Sequence, residues 1–331
     1  MSNKHLTRRD FIKTTSVGLA GAGLLCQYPG LAGLAMAGKN YTFGSASATG
    51  SWYPLAVAMS KMINDNVPGY NVTGVTTPGA SRENILRIDR KEMELAWSSA
   101  NILYKGYEGL KPFKAKKKVS GWFAAYPGLF TIAVRRRTGI KSIADLKGKT
   151  IAVGTPGSQT MMDNVGLIFK NCGLTADKDF KAEYIRFPDA VHKMIDGHID
   201  ACSYFMGVGV PGYTQLADSV AVDFLPIPKE AQSRILKQDP VYFMGEIPAD
   251  TYRGMDKPVA AAGMAYTTIC GPFLSDEFMY QATKAVFENL PFIISASANF
   301  KQTKLENVYK GLPIPVHQGA ARYYKEKGVT P

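Results

Sequence analysis

The sequence predicts an α/β fold class in which two lobes, each a mainly parallel sheet flanked by helices, enclose a cleft. Three observations predict it: strand and helix patterns alternate from residue 41 onward, they form two successive series, and a long apolar run at 258–270 leads back to the first series. The length of 331 residues suffices for two domains of ~100–200 residues each. With 46% hydrophobic and 20% charged residues, the composition excludes a disordered or coiled-coil chain.

The first βα series occupies the chain up to residue 134. In its first helix, apolar side chains at 55, 59, 62 and 63 recur at helical spacing and indicate one buried face. Alternation with short connections favours parallel strands covered by helices. The series comprises strands at 41–44, 71–75 and 94–97, helices at 53–66 and from residue 81, and two extended runs, 119–126 and 129–134, separated by Pro127-Gly128.

The second series begins at Ile140 and is followed by a helical C-terminal part. It comprises a short helix and a strand within 140–154, a helix at 158–172, strands at 182–185, 199–204 and 220–225, a helix from Pro188, and C-terminal helices at 276–290 and 317–327. The long run at 258–270 returns the chain to the first lobe. We therefore predict a discontinuous lobe 1 at 38–135 and 250–331, and lobe 2 at 136–249.

The N-terminal segment has the pattern of an export signal. Thr7–Lys13, TRRDFIK, is similar to the twin-arginine consensus, and a Gly- and Ala-rich apolar stretch follows it. Ala35-Met36-Ala37 predicts cleavage after Ala37 and a periplasmic location, whereas Cys26 lacks the small preceding residues of a lipoprotein site. A short amphipathic helix or membrane anchor is the alternative interpretation of residues 1–37.

Export changes both the charge and the cysteine count. The first 37 residues hold four of the 39 Lys and Arg and one of the 27 Asp and Glu, so the net charge of +12 falls to +9. Three cysteines remain, an odd number that leaves at least one thiol free or bonded to another molecule. Cys202 and Cys270 lie in apolar, strand-like runs that indicate buried, inert thiols, and Cys172 lies near a helix end.

The loops that follow the predicted strands are the candidate binding regions, because ligands of open α/β sheets lie beyond the carboxyl ends of the strands. These loops are 44–54, 77–84, 97–101 and 154–160, and all are rich in Gly, Ser and Thr. The loops 44–54, 77–84 and 154–160 lead to helices whose N-terminal N–H groups suit an anion, and 97–101 is a small, polar loop. Trp52 and Tyr53 add an apolar wall to the first loop. Ordinary helix capping is the alternative, with Ser81 as a credible N-cap residue.

Several stretches carry a resemblance to a known family. They are Ala48–Leu55 (ATGSWYPL), Pro78–Asn84 (PGASREN), Gly139–Lys149, Val153–Ser158, Asp196–Ala201 followed by Phe205 and Gly209–Pro211, and Ile247–Tyr252 (IPADTY). In this order, over about residues 40–290, the chain resembles the TAXI-type solute receptors of tripartite ATP-independent periplasmic (TRAP) transporters. It departs from the family at Ser98–Asn101, where the family usually has Gln-Ser-Asp.

The resemblance implies a type II periplasmic binding fold whose hinge closure traps a small organic acid. The implied ligand is a dicarboxylate or an amino acid such as glutamate, and the implied partners are TRAP membrane permease subunits that receive it from a monomeric receptor. The residues expected to bind the ligand are Thr49, Ser51, Trp52, Tyr53, Ser81, Asn84, Ser98, Tyr126, Thr155, Gly157, Ser158, Gln159, Thr160 and Phe205. Arg82 either pairs with a ligand carboxylate or faces solvent.

Other functions lack their sequence signatures. The chain has no P-loop, no G-x-S-x-G and no H-E-x-x-H, so we predict no catalytic residues, no cofactor and no metal site. Two basic runs, 111–118 and 135–137, are typical of solvated faces, and docking to a membrane partner or anionic lipid is their alternative role. Nucleic-acid binding is not expected of an exported protein without a known module. A periplasmic sensor for a signalling partner remains the main alternative to transport, ahead of an exported enzyme.

Overall fold

The structure is a computed structural model that describes residues 38–46, 48, 50–155, 158 and 165–331. The predicted export segment 1–37 and the candidate site residues Thr49, Gly157, Gln159 and Thr160 lie outside these residues. Lys39–Pro331 form one compact unit. Within the described residues, no helix is both long enough and apolar enough to cross a lipid bilayer.

Strands and helices alternate through most of this unit. The strands are β1 Lys39–Gly44, β2 Tyr70–Val75, β3 Leu95–Ser99, β4 Ser120–Arg135, β5 Thr150–Ala152, β6 Lys181–Glu183, β7 Ala201–Met206, β8 Val222–Phe224, β9 Phe243–Ile247 and β10 Val259–Cys270. The helices are α1 Trp52–Asn66, α2 Ala80–Asp89, α3 Ala100–Glu108, α4 Phe187–Asp196, α5 Pro211–Ser219, α6 Lys229–Gln238, α7 Asp276–Glu288, α8 Leu290–Ala296 and α9 Gln318–Glu326.

One continuous sheet joins the two halves of the molecule. The main path has the order β2-β1-β3-β10-β4-β7-β5-β6, with β8 paired to β4 and β9 paired to β10. Both outer parts are parallel: β1 pairs with β2 and β3, and β5 pairs with β6 and β7. The central strands β4 and β10 run antiparallel to their neighbours. The mixed α/β architecture predicted from alternation is confirmed.

The long strands β4 and β10 cross between the two halves. Residues 259–263 of β10 pair with β9, whereas residues 266–270 pair with β3. Likewise, residues 129–134 of β4 pair with β7, and its residues 120–127 pair only with β10 among the described strands. Each crossing strand is thus a covalent part of both halves, which is the arrangement of a two-strand hinge.

Apolar side chains cover both faces of the sheet. Along β3, Leu95 and Trp97 belong to one apolar cluster and Ala96 to another, because successive strand residues point to opposite faces. Along β4, Phe130 and Ala133 enter two further clusters in the same alternating way. Helices on each face supply the rest of these clusters, so both faces of both halves are buried.

The structure corrects four details of the sequence interpretation. The two runs around Pro127-Gly128 are one strand, since an extended backbone suits the fixed φ of proline and Gly128 fits beneath the Tyr266 ring. Ser158 is not helical, and the described helical part of this segment is a π-helix at Val165–Phe169 that continues through Lys170 and Asn171. Helix α3 begins at Ala100, inside the predicted loop 97–101. Ser81 is not an N-cap residue, because α2 already begins at Ala80. The elements α5, α6, α8 and β9 were also not predicted.

The predicted cysteine environments agree with the structure. Cys202 and Cys270 are fully buried and Cys172 is half-buried, and all three are free thiols. Burial raises the pKa of Cys172 to about 11 and that of Cys202 to about 12, and it also raises the pKa of Cys270. These thiols are therefore protonated at neutral pH, which makes them poor nucleophiles.

Candidate functional site

The starts of helices α1, α2 and α3 follow the carboxyl ends of the parallel strands β1, β2 and β3. The three helix N-termini therefore lie along the same edge of the sheet. Their N-cap residues, Ser51, Gly79 and Ser99, make no side-chain capping hydrogen bond, and the first turns of α1 and α3 contain no acidic residue. At α2, Glu83 lies in the first turn and accepts from the Gly79 N–H at 2.8 Å, so the partial positive charge that suits an anionic group is left at the ends of α1 and α3.

Four buried polar residues connect the strand ends at this edge, and we call Ser45, Ser81, Asn84 and Ser99 the strand-end cluster. The Asn84 amide donates to the carbonyl oxygens of Ser45, at 2.9 Å, and Trp97, at 2.8 Å. It thereby connects the end of β1 to the end of β3. Asn84 Oδ1 is buried without a hydrogen-bond partner, and it lies 2.7 Å from the position that a Cβ on Gly44 would take.

Two serines of the strand-end cluster, Ser81 and Ser99, bond to each other, and Ser45 Oγ donates to the Val75 carbonyl at 2.7 Å. Ser81 Oγ accepts from the backbone N–H of Ser99 at 3.0 Å and lies 3.2 Å from Ser99 Oγ. Ser98, also fully buried, donates its hydroxyl to the Ser99 carbonyl at 3.2 Å. A ligand role for Ser81, Asn84 or Ser98 would require exchange of these internal bonds, and that role remains a prediction.

Four aromatic rings lie next to the strand-end cluster, and we call Trp52, Trp97, Tyr126 and Tyr266 the aromatic floor. Trp52 stacks on Trp97 with a centroid distance of 5.8 Å and an interplanar angle of 14°. Tyr266 meets Trp52 edge-on at 5.1 Å and Tyr126 edge-on at 5.5 Å, and Tyr126 lies 5.9 Å from Trp97. The four rings form a closed circuit of contacts across α1, β3, β4 and β10.

Hydrogen bonds fix the tyrosines of the floor. Tyr126 Oη and Ser51 Oγ lie 3.0 Å apart, which joins β4 to the start of α1. Tyr266 Oη donates to the carbonyl of Phe205, in the other half of the sheet, at 2.8 Å. Burial raises the pKa of both phenols well above their usual range, so both remain neutral at physiological pH.

A second set of contacts joins the two halves of the sheet near the aromatic floor. The ring of Phe205 lies 5.9 Å from that of Tyr242, and Asn101, at the start of α3, donates its amide to Tyr242 Oη at 3.1 Å. Asn101 and Tyr242 are both buried. The start of α3 and the segment between α6 and β9 therefore lie in contact, although they are far apart in sequence.

The remaining predicted residues are less enclosed. Tyr53, Thr155 and Ser158 are half-buried, and the backbone N–H of Ser158 donates to the Thr155 carbonyl at 3.1 Å. Arg82 is exposed on α2, in agreement with the solvent-facing alternative. The structure thus brings Ser51, Trp52, Tyr126 and Phe205 into one region, where Ser81, Asn84 and Ser98 form the adjoining buried edge.

The two basic runs have different environments. Arg135 is buried and donates to the Met194 carbonyl at 2.8 Å, at the C-terminal end of α4, so the interpretation of 135–137 as a solvated face is wrong at its first residue. In the run 111–118, Lys117 pairs with Asp89 at 3.1 Å and borders a surface groove of about 330 Å³. Among the described residues, no group of three or more His, Cys, Asp or Glu side chains could hold a metal ion.

Sequence reasoning missed several residues of this region. Tyr266 was part of an apolar run, and its approach to Trp52 depends on β10 lying between β3 and β4. Trp97 was assigned to a strand without a role, and Asn101 to a loop. A Tyr on a crossing strand is the one signal that could have singled out Tyr266, since Tyr126 was selected on that ground. Tyr242 carried no such signal.

Comparisons with known proteins identify similar sequences and folds. The sequence pattern of the NMT1-like family matches residues 43–328. One similar solved structure is PhnD1 from Prochlorococcus marinus in complex with methylphosphonate, with 11% identity over 80% of this chain and 91% of that chain and a TM-score of 0.50. A second is the periplasmic aliphatic sulphonate binding protein SsuA from Escherichia coli, with 14% identity over 88% of each chain and a TM-score of 0.47. A third is a binding protein component of an ABC phosphonate transporter from Pseudomonas aeruginosa, with 13% identity over 81% of this chain and 80% of that chain and a TM-score of 0.48. The similarity to PhnD1 supports the two-lobed type II fold, and at these identities it concerns the fold alone.

Proposed function

We propose, from the premise that the chain belongs to the NMT1-like family, that it is an extracytoplasmic solute-binding receptor. One observation carries the proposal: β4 and β10 each pair with both halves of the sheet, and the aromatic floor lies where they cross. Bending of two extended strands allows the halves to open and close around a solute. No covalent chemistry is needed for that function.

The proposed site lies between lobe 1 (38–135 and 250–331) and lobe 2 (136–249), with Ser51, Trp52, Tyr53 and Tyr126 on one side and Thr155, Ser158 and Phe205 on the other. The helix starts at the strand ends supply N–H groups for an acidic group of the ligand. The aromatic floor supplies apolar contact. A small organic acid, either a dicarboxylate or an amino acid such as glutamate, is the ligand class in this proposal.

The proposed partner is a TRAP membrane permease of the TAXI type, which receives the solute from a monomeric receptor in the periplasm after twin-arginine export. Two motifs quoted above support this subtype, ATGSWYPL at 48–55 and IPADTY at 247–252. A receptor that reports ligand occupancy to a membrane signalling protein is the second candidate function, because the same closed form would be recognised. A gene for a multi-span permease beside this one favours transport, and a sensor kinase gene favours signalling.

Small-angle X-ray scattering with a ligand panel tests the receptor function. The exported protein is measured alone and with dicarboxylates, amino acids, aromatic acids, phosphonates and sulfonates, and each compound is also tested by thermal shift. A ligand that binds only the folded state adds about 2.7 kcal/mol at a hundredfold excess over Kd. We expect a selective rise in Tm together with a smaller radius of gyration. A folded protein that responds to no compound of the panel would contradict the proposal.

A further inference from the structure

The aromatic floor lies in a region without buried charge. Among the described residues, Arg135 is the only buried Lys, Arg, Asp or Glu. It lies at the far end of β4, where its guanidinium donates to the Met194 and Ile195 carbonyls. The candidate first-lobe cation, Arg82, is exposed. A second carboxylate brought to the floor would therefore lose its hydration without gaining a buried cation, which is costly.

One polar group of the floor has no partner. Trp97 is fully buried, and its indole Nε1–H makes no hydrogen bond. Trp52 is stacked on this indole, and Tyr126 lies beside it. A buried donor without an acceptor is uncommon in folded proteins, and a functional role is one of the explanations for it. An acceptor atom on a bound solute would satisfy it.

From these observations we infer that the ligand is a monoanionic acid with an aromatic or branched apolar body, rather than a compact dicarboxylate. Its single acidic group lies at the starts of α1 and α3, and its body lies against Trp52, Tyr126 and Tyr266. This inference rests on the proposed receptor function; it keeps the small organic acid as the ligand and replaces the dicarboxylate or glutamate with a monoacid. Aromatic rings provide large contact area and edge-to-face geometry for a planar body, and the absence of a paired cation disfavours the dianion.

Tryptophan fluorescence provides a direct readout. The chain has three tryptophans, of which Trp52 and Trp97 belong to the floor. Trp122 lies outside it, with its indole N–H donated to Thr283 Oγ1 at 2.8 Å. The exported protein is titrated with benzoate, phenylacetate and 3-methylbutanoate, and separately with succinate, glutamate and methylphosphonate. Trp52→Phe is the test variant and Trp122→Phe is the matched control, since both replace a buried indole with the same ring.

We expect an aromatic or branched monoacid to change the fluorescence and raise Tm, with at least a tenfold stronger affinity than succinate, glutamate or methylphosphonate. Trp52→Phe should weaken that affinity about tenfold, whereas Trp122→Phe should leave it within twofold, with melting curves to confirm that both variants are folded. If only succinate, glutamate or methylphosphonate binds, the inference is wrong and the receptor function stands. If no compound of the panel binds to the folded protein, both are overturned.

Discussion

The strand-end cluster and the aromatic floor are adjacent, yet the hydrogen bonds of the cluster hold backbone groups of two strands, whereas those of the floor position aromatic rings. Ser81, Asn84 and Ser99 are fully or almost fully buried and direct their hydrogen bonds chiefly to backbone groups at the ends of β1 and β3, although Asn84 Oδ1 has no donor. In the floor, Ser51 and Tyr126 bond to each other beside the half-buried start of α1, and the Trp97 indole has no acceptor.

This difference separates two reasons for polar residues at strand ends. A buried amide that satisfies two carbonyls contributes to folding, because each carbonyl would otherwise lose its hydration without replacement. An aromatic ring with a polar tip can instead change partner at small cost when a solute arrives. A Gly- and Ser-rich loop therefore indicates a site edge, and the contacts made inside the protein determine which of its residues remain available to a ligand.

The largest expected effect comes from the strand-end cluster. Asn84→Ala leaves the Ser45 and Trp97 carbonyls buried without donors, and we expect it to lower the free energy of unfolding by about 2–4 kcal/mol. Urea denaturation followed by circular dichroism measures this change. The control Arg82→Ala, on the exposed face of the same helix, should stay within about 0.5 kcal/mol of the parent protein. Equal effects of the two variants would contradict the assignment of the Asn84 hydrogen bonds to folding stability.

A substitution beneath the floor tests how tightly its rings are held. A Cβ on Gly128 would lie 2.5 Å from the Tyr266 ring, so Gly128→Ala forces that ring to move. We expect a loss of about 1–3 kcal/mol in unfolding free energy, as for other overpacked sites. The fluorescence of Trp52 should also change, since Tyr266 contacts it edge-on. Unchanged stability and an unchanged spectrum would show that the floor is loosely packed.

A third buried polar group extends the comparison to the C-terminal helices. His317 Nδ1 accepts from the Gly319 N–H at 3.2 Å at the start of α9, and Nε2 lies 3.1 Å from the Leu274 carbonyl. Burial lowers the pKa of His317, although the Asp276 carboxylate 3.6 Å away opposes this shift. Loss of this cap in His317→Ala should cost about 1 kcal/mol.

The sign of the pH dependence follows from the lowered pKa. As the pH falls below the usual histidine value of about 6.5, the unfolded chain binds a proton that the folded His317 does not. The stabilisation that neutral His317 contributes should therefore be fully present near pH 7, and the free energy of unfolding should decline toward pH 5.5. Denaturation at several pH values measures this slope, which should become shallower in His317→Ala. A slope that is the same in both proteins would assign the dependence to other groups.

The smallest expected effect lies on the surface, in the basic run 111–118. Asp89 accepts from the Lys118 N–H at 2.8 Å and from Lys117 Nζ at 3.1 Å, and these contacts help to hold its pKa below the usual range against desolvation. Because Asn keeps an acceptor oxygen for the Lys118 N–H, and the Lys117 and Asp89 side chains still expose 17% and 21% of their surface, Asp89→Asn should cost less than about 1 kcal/mol, and less still at high salt. Thermal unfolding at two salt concentrations checks this result. A loss of stability as large as that of Asn84→Ala would contradict the expectation that this surface contact contributes less than the strand-end cluster.

Much of the architecture was predictable from local patterns. The period of the apolar residues in α1 and the alternation through β1, β2 and β3 depend on neighbours in sequence, so the fold class and most element positions of the first half followed from them. Pro127-Gly128 was misleading because it is a turn signal in isolation, whereas here the flanking strands of the sheet keep it extended. Helix α3 was missed because Ser98–Asn101 resembles a loop until the packing of Ile102 and Leu103 is known.

The candidate site was predictable only in part, and the limit is physical. The sequence by itself determined the α/β class and the position of the candidate loops at the strand ends, because these follow from composition, spacing and the rules of parallel sheets; the binding roles of Trp52 and Tyr126 are predictions. Only the tertiary structure decided that Tyr266 completes the aromatic floor and that Asn84 satisfies two strand-end carbonyls. Such contacts join residues that are far apart in the chain, and the long-range pairing of β10 with β3 and β4 brings them within a few ångströms.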